Sequence, residues 1–313
     1  MAKKSGASSA LCARVEHALA LNRAAKLNFP GIMMGLVGRQ IDAEAIELEF
    51  DDGPWSRDGR GELNWPALGV VIDIALGTVT RLESGPTMRP ATVQLQVQMT
   101  GASTQGHLVT HARFTGHSER TALKHVLAAG TVTSGETVIV HASGAFAMLD
   151  LPEGTTQTPM PWVPEGVTAE LDASVELDDY ERAAVRRCRQ AERAATPEHP
   201  FIEHFWCGVP TGGDGKARLN VKVAPHLGNR VGQVHGGVLL GLAARVASAA
   251  VPQTMMLSNI SVWYISPGLG PNLRVRSAVV QQGRNLAVVR TQIVSAQGKL
   301  VLEATSQHVA LSS

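Results

Sequence analysis

The chain reads as an α+β protein built from two tandem copies of one unit, each a central helix wrapped by a curved antiparallel sheet. Three observations predict this. The length of 313 residues suggests about two domains. Hydrophobic residues make up 44% and charged residues 18%, enough apolar side chain for two cores and too much for a disordered chain. Two stretches, from about Phe29 to Asp150 and from about Phe201 to Ser313, repeat one pattern: a first strand, one apolar helix, then four strands rich in Val and Thr.

The repeat is a matter of register. HGGVLLGLAARVA from His235 lies over NWPALGVVIDIAL from Asn64 at an offset of 171, and both continue as apolar helices. LSNISVWYISP from Leu257 lies over TVQLQVQMTGA from Thr92 at an offset of 165, so one loop differs in length and the strands then stay aligned. Alternation at Val93, Leu95, Val97 and Met99 fits a half-buried antiparallel strand. A repeat this long is a domain duplication rather than a solenoid. Two such units can pair within one chain as two subunits pair in a dimer. The expected boundaries are residues 1–28 for an N-terminal helical segment, 29–150 for the first unit, 151–200 for a linker and 201–313 for the second unit. In the first segment a helix is expected over 9–21. The linker is rich in Pro, Gly and Thr at first, then carries a charged helix from Asp178, a plausible cap, to about Ala195.

Composition excludes several classes. With 28 Lys and Arg against 27 Asp and Glu, the net charge is +1, and no global field favours DNA, RNA or an anionic membrane. Cys12, Cys188 and Cys207 are scattered, form no CxxC pair, and predict neither a disulfide framework nor a zinc site; a reducing cytoplasm fits them. The histidines of the first half lack metal-ligand spacing, so no metal is expected. Arg14, Glu16 and His17 interrupt the apolar run near the start, which argues against a signal peptide, and no apolar run reaches the ~18 residues of a membrane span.

Two places carry chemistry. In NRVGQVHGGV, from Asn229, two glycines open a helix directly after His235. First-turn N–H groups of a helix lack internal partners and carry the positive end of the dipole. Glycines let a ligand approach them, so a carbonyl oxygen gaining negative charge would be stabilised there, with Asn229 as a further donor. An ordinary glycine-rich helix cap is the plainer reading. In the first half, Asp73 is the only charge in ALGVVIDIALG. A lone carboxylate among Val, Ile and Leu must find hydrogen-bond donors or line a cavity, where loss of water makes a carboxylate a better base. An Asp on a narrow polar stripe is the plainer reading here. The register separates the parts: Asp73 lies over Ala244, Thr92 over Leu257, Asn229 over Asp58, His235 over Asn64, Gly236 over Trp65 and Gly237 over Pro66. Each half holds what the other lacks, and Pro66 has no N–H to offer.

The string GQVHGGV with Asn229 six residues before His235, the strand closing at Pro267 and the Gly283-Arg284 turn resemble the PaaI-type branch of the hotdog-fold acyl-CoA thioesterases. The likeness spans about 110 residues of the second half and, more weakly, a similar span of the first. The family's helical Asp is Ala244 here, and its match in the other half is Asp73. The resemblance implies a double hotdog with one composite site for hydrolysis of an acyl-CoA thioester. Asp73 would activate water or attack directly, and Thr92 would orient the water. Asn229 and the Gly236 N–H would hold the carbonyl oxygen, His235 would shape the turn, and Gly237 would serve close packing. The second site would face Trp65, Pro66, Ala244 and Leu257. Gly283 and Arg284 would lie near the CoA entrance, with Arg230, Arg245, Arg274 and Arg276 as further phosphate candidates, and Trp162, Trp263 and Tyr264 could line an acyl pocket. Acyl-CoA is the expected partner and no separate cofactor is required; a homo-oligomer, a dimer of double-hotdog chains, is expected. Two other readings stand beside hydrolysis: a non-catalytic acyl-CoA binding protein with a degenerate site, and an enoyl-CoA hydratase, disfavoured because neither Asp73 nor His235 has the other as a sequence neighbour.

Overall fold

The computed structural model describes residues 9–25, 28–42, 45–118, 124–151, 177–229 and 231–311, together with 153, 154, 157 and 160. The first half comprises α1 (Ala10–Ala25), α2 (Phe29–Met34), the hairpin β1 (Val37–Ile41) and β2 (Ala45–Asp51), the long helix α3 (Trp65–Ser84), and β3 (Met88–Met99), β4 (His107–His117), β5 (His125–Ser134) and β6 (Thr137–Asp150). Helix α4 (Asp179–Ala194) follows, then α5 (Phe201–Trp206), β7 (Thr211–Gly213), β8 (Lys216–Lys222), α6 (Gly236–Ser248), and β9 (Met255–Tyr264), β10 (Asn272–Gln282), β11 (Leu286–Ser295) and β12 (Leu300–Ala310).

These strands form one antiparallel sheet in the order β1-β2-β4-β5-β6-β3-β9-β12-β11-β10-β8-β7, so the second half repeats the order of the first across the join between β3 and β9. At that join Gln96 faces Ser261, which are equivalent positions at the 165 offset, as in a symmetric dimer. The 171 offset is visible in hydrogen bonds as well. Asp58 accepts from Arg60 N–H and Glu62 N–H, and Asn229 accepts from Val231 N–H and Gln233 N–H, in two copies of the same turn. Bridges Arg57↔Leu63 and Gly228↔Val234 close the two turns.

One expectation is corrected at the start of each unit. Residues from Phe29 and from Phe201 form short helices, not a first strand, and a two-strand hairpin precedes each central helix. All six residues of α2 are buried, with Pro30 in its first turn; a helix this short is held by packing rather than by propensity.

Helix α3 begins after Asn64, ends at Gly85, and is apolar nearly all round because sheet and helix cover it on all sides. By length and composition it could cross a membrane, yet it is mostly buried inside the fold. Helices α3 and α6 touch backbone to backbone. A Cβ on Gly237 would lie 2.2 Å from the Gly69 carbonyl oxygen, and one on Gly241 2.3 Å from Pro66 Cα. Gly237→Ala should therefore force the helices apart and destabilise the chain by about 1–3 kcal/mol, read as a fall in the thermal midpoint; an unchanged midpoint would refute this close contact.

Cys12 and Cys188 are joined as a disulfide that ties α1 to α4. This corrects the expectation of unpaired cysteines and removes the cysteine argument for a reducing compartment. A separation of 176 residues gives no pairing signal in the sequence; packing of α1 on α4 brings the two Cα atoms to 5.9 Å. Asp178 caps α4 in a reciprocal arrangement with Glu181.

Two buried histidines give the fold a pH limit. Burial pushes His226, packed on Phe205 at 4.9 Å, down to about 3, and His308 down to about 4. The unfolded chain takes up these protons near pH 6.5. It then binds more protons than the folded chain, so stability is whole above that pH and is lost as pH falls towards the folded values. The thermal midpoint should decline below about pH 6.5, and less steeply in His226→Phe. Parallel curves for the two proteins would sink the assignment.

Candidate active site

The composite site lies where α3 of the first half meets the start of α6. Asp73 sits on α3 at the start of its third turn, buried, and β3 brings Thr92 beside it. Thr92 Oγ1 donates to Asp73 Oδ1 at 2.8 Å. Gly237 N–H, in the first turn of α6, donates to Asp73 Oδ2 at 2.8 Å. His235 caps α6: its Nδ1 accepts from Gly237 N–H at 3.1 Å and stands 3.3 Å from Asp73 Oδ2. Asp73, Thr92, His235, Gly236 and Asn229 line one cavity of about 390 Å³. Gly237 lies against it through its bond to Asp73.

The glycines matter for space as well as for N–H groups. A Cβ on Gly236 would fall 2.7 Å from Asp73 Oδ2. The Gly236 N–H, at the first position of the helix, has no intrahelical acceptor. Asn229 commits Oδ1 to its own turn, which leaves Nδ2 as the donor end of its side chain. A carbonyl oxygen at the helix start could therefore meet two N–H donors while the carboxylate stands near the carbonyl carbon.

Several residues fall elsewhere. Gly283 and Arg284 form the exposed turn between β10 and β11 and do not line the cavity. Arg245, half-buried, is held in an ion pair with Glu203 rather than offered to a ligand. Arg276 is exposed on β10, and Trp263 is exposed on β9 while its neighbours Val262 and Tyr264 face inward. Trp162 and Arg230 lie outside the described residues. Asp73 and His235, distant in sequence, stand 3.3 Å apart in space, so their separation along the chain does not disfavour a hydratase.

Arg81 and Asn28 gain a place that sequence reasoning did not assign, and Tyr264, expected along an acyl pocket, lines the cavity. Arg81, two turns beyond Asp73 on α3, lines the cavity and bonds Gln157 at 2.7 Å; burial lowers its guanidinium from the usual value. Asn28, before α2, is buried at the cavity wall. The Tyr264 hydroxyl donates to the Gly236 carbonyl at 2.8 Å. The signal for Arg81 was its helical spacing from Asp73; Asn28 had none beyond position, and the tyrosine's aromatic character marked it for a pocket wall but not for its bond to Gly236.

The equivalent place in the other half is built differently. Ala244, Leu257, Asn64, Trp65 and Met99 stand where Asp73, Thr92, His235, Gly236 and Tyr264 stand. Arg245 follows Ala244 and pairs with Glu203 of α5, and a Cβ on Gly59 would meet the Glu198 carbonyl oxygen at 2.1 Å. Burial raises the Asp58 carboxyl above its usual range.

Residues 225–308 match the family described as acyl-CoA thioesterase N-terminal domain. No curated protein matches the chain in sequence. Among solved structures, a tesB protein of Mycobacterium avium subsp. paratuberculosis is similar over 88% of this chain and 96% of its own, at 12% identity and TM-score 0.52. A candidate thioesterase of Novosphingobium aromaticivorans is similar over 89% and 99%, at 16% identity and TM-score 0.54. A protein of unknown function with a hot dog fold from Alicyclobacillus acidocaldarius is similar over 90% and 97%, at 11% identity and TM-score 0.52. The fold over both halves is thus the hotdog, as the sequence resemblance implied.

Proposed function

We propose that this chain, a hotdog protein whose second half carries the acyl-CoA thioesterase family match, hydrolyses an acyl-CoA thioester in one composite site. The observation that carries the reading is the meeting of Asp73 and Thr92 from one half with the α6 start and Asn229 from the other, around a single cavity. A thioester carbonyl placed there points its oxygen at Gly236 N–H and Asn229 Nδ2. Water held by Thr92 and Asp73 attacks the carbonyl carbon, and Asp73 takes the water proton. The tetrahedral oxyanion collapses, the C–S bond breaks, and the CoA thiolate leaves and is protonated, giving a free acid and CoA. His235, with Nδ1 engaged by Gly237 N–H, orders the turn. CoA enters as part of the substrate, so no separate cofactor takes part. Direct attack by Asp73, through an anhydride, is the other route open to this geometry; ¹⁸O from water appearing in Asp73 after one turnover would mark it.

The test is free-thiol release from a panel of short, long, branched and aromatic acyl-CoAs. Release from any member supports hydrolysis. Tight binding without release assigns the chain to the non-catalytic acyl-CoA binders. A second catalytic reading, hydration of an enoyl-CoA, draws on the 3.3 Å approach of His235 to Asp73. Loss of the enoyl absorbance without thiol release would favour it.

A further inference from the structure

The Gly236–Gly237 peptide is gripped at both ends. Its carbonyl oxygen accepts from the Tyr264 hydroxyl at 2.8 Å, and its N–H donates to Asp73 Oδ2 at 2.8 Å. Because a peptide group is planar and stiff, fixing the carbonyl fixes the direction of the N–H. Hydrogen bonds in series through one amide also polarise each other. The same peptide joins the two first residues of α6, so its orientation sets that of the helix start, including the adjoining Gly236 N–H.

We propose that Tyr264 is a positioning residue, which through the Gly236–Gly237 peptide aims the N–H that holds the Asp73 carboxylate. This rests on the composite-site reading above. Three features fit the role. Tyr264 lines the same cavity as Asp73. Burial and the nearby Asp73 charge push the phenol well above its usual value, so it remains a donor throughout the working range. The arrangement also occurs once: the equivalent strand position holds Met99, which cannot donate, and the equivalent helix start holds Pro66, which has no N–H. A tyrosine serving only as a brace between strand and helix would have no reason to be sorted with Asp73, Thr92 and the glycine pair.

Tyr264→Phe keeps the ring and removes the hydroxyl. Two readouts test the role beyond stability. On whichever acyl-CoA is turned over, kcat should fall about two- to tenfold, the worth of one hydrogen bond, with KM unchanged. By NMR on glycine-labelled protein, the Gly237 amide proton should move upfield in Tyr264→Phe, because its bond to Asp73 is less well aimed and less polarised. Met99→Leu should change neither. A Tyr264→Phe protein with wild-type kcat and an unmoved Gly237 amide proton overturns the proposal, even if its thermal midpoint drops. The amide signal needs no turnover. If no acyl-CoA is hydrolysed, the hydrolase reading fails by itself, and the amide signal still decides whether Tyr264 acts on the Gly237 N–H.

Discussion

Asp73→Asn should lose at least about 100-fold in turnover while remaining folded, the scale of removing a general base. The substitution is nearly isosteric, and the surroundings tell which way the amide turns. Oδ2 of Asp73 faces a fixed donor, Gly237 N–H, whereas Oδ1 faces a hydroxyl that can reverse its role. The amide oxygen therefore stays on Gly237, and the new NH2 donates to Thr92. Shape and hydrogen-bond count are kept; the negative charge and the capacity to take a proton are lost. Thr92→Val should cost less, since it frees the carboxylate without removing it. Steady-state thiol release beside a thermal melt separates chemistry from folding. Full activity in Asp73→Asn would mean that the two halves have been assigned to the wrong roles.

Arg245→Met should be among the most destabilising single changes in the chain, by about 3–5 kcal/mol, because it leaves a buried carboxylate without its cation. Glu203 is buried and the Arg245 side chain is only 10% exposed, and among the described residues the other side-chain partner of Glu203 is His199 at 2.9 Å. Glu203→Gln combined with Arg245→Met should regain much of the loss, since neither charge is then stranded. Arg245 adjoins Ala244, the counterpart of Asp73, so the ion pair occupies the half-to-half place that carries no catalytic set. Turnover per folded molecule should stay at the wild-type level in either variant. Urea unfolding with kcat measured on the folded fraction checks both statements; equal stability of Arg245→Met and wild type would show that the pair contributes nothing.

The central helices, their start points 171 residues apart, the strand pattern and the two-unit plan can be read from the chain because they rest on local codes. Period and caps mark a helix, alternation marks a strand, and turn residues mark the breaks. The same codes expose Asp73 as a charge in an apolar helix and the glycines after His235 as an open helix start. They misread Phe29–Met34 and Phe201–Trp206, whose short helices exist only because the core covers them. They are silent on whatever joins distant segments. The bond from Gly237 N–H to Asp73 crosses 164 residues and the Cys12–Cys188 disulfide crosses 176. The approach of His235 to Asp73, the grip of Tyr264 on Gly236 and the pairing of Arg245 with Glu203 are of the same kind. Each depends on how closely α3 and α6 pack and on the register of β3 against β9, which are set by the summed fit of many side chains. Residue types and local order thus come from the sequence read along its length, and which donor faces which acceptor was decided by the packing of the two halves.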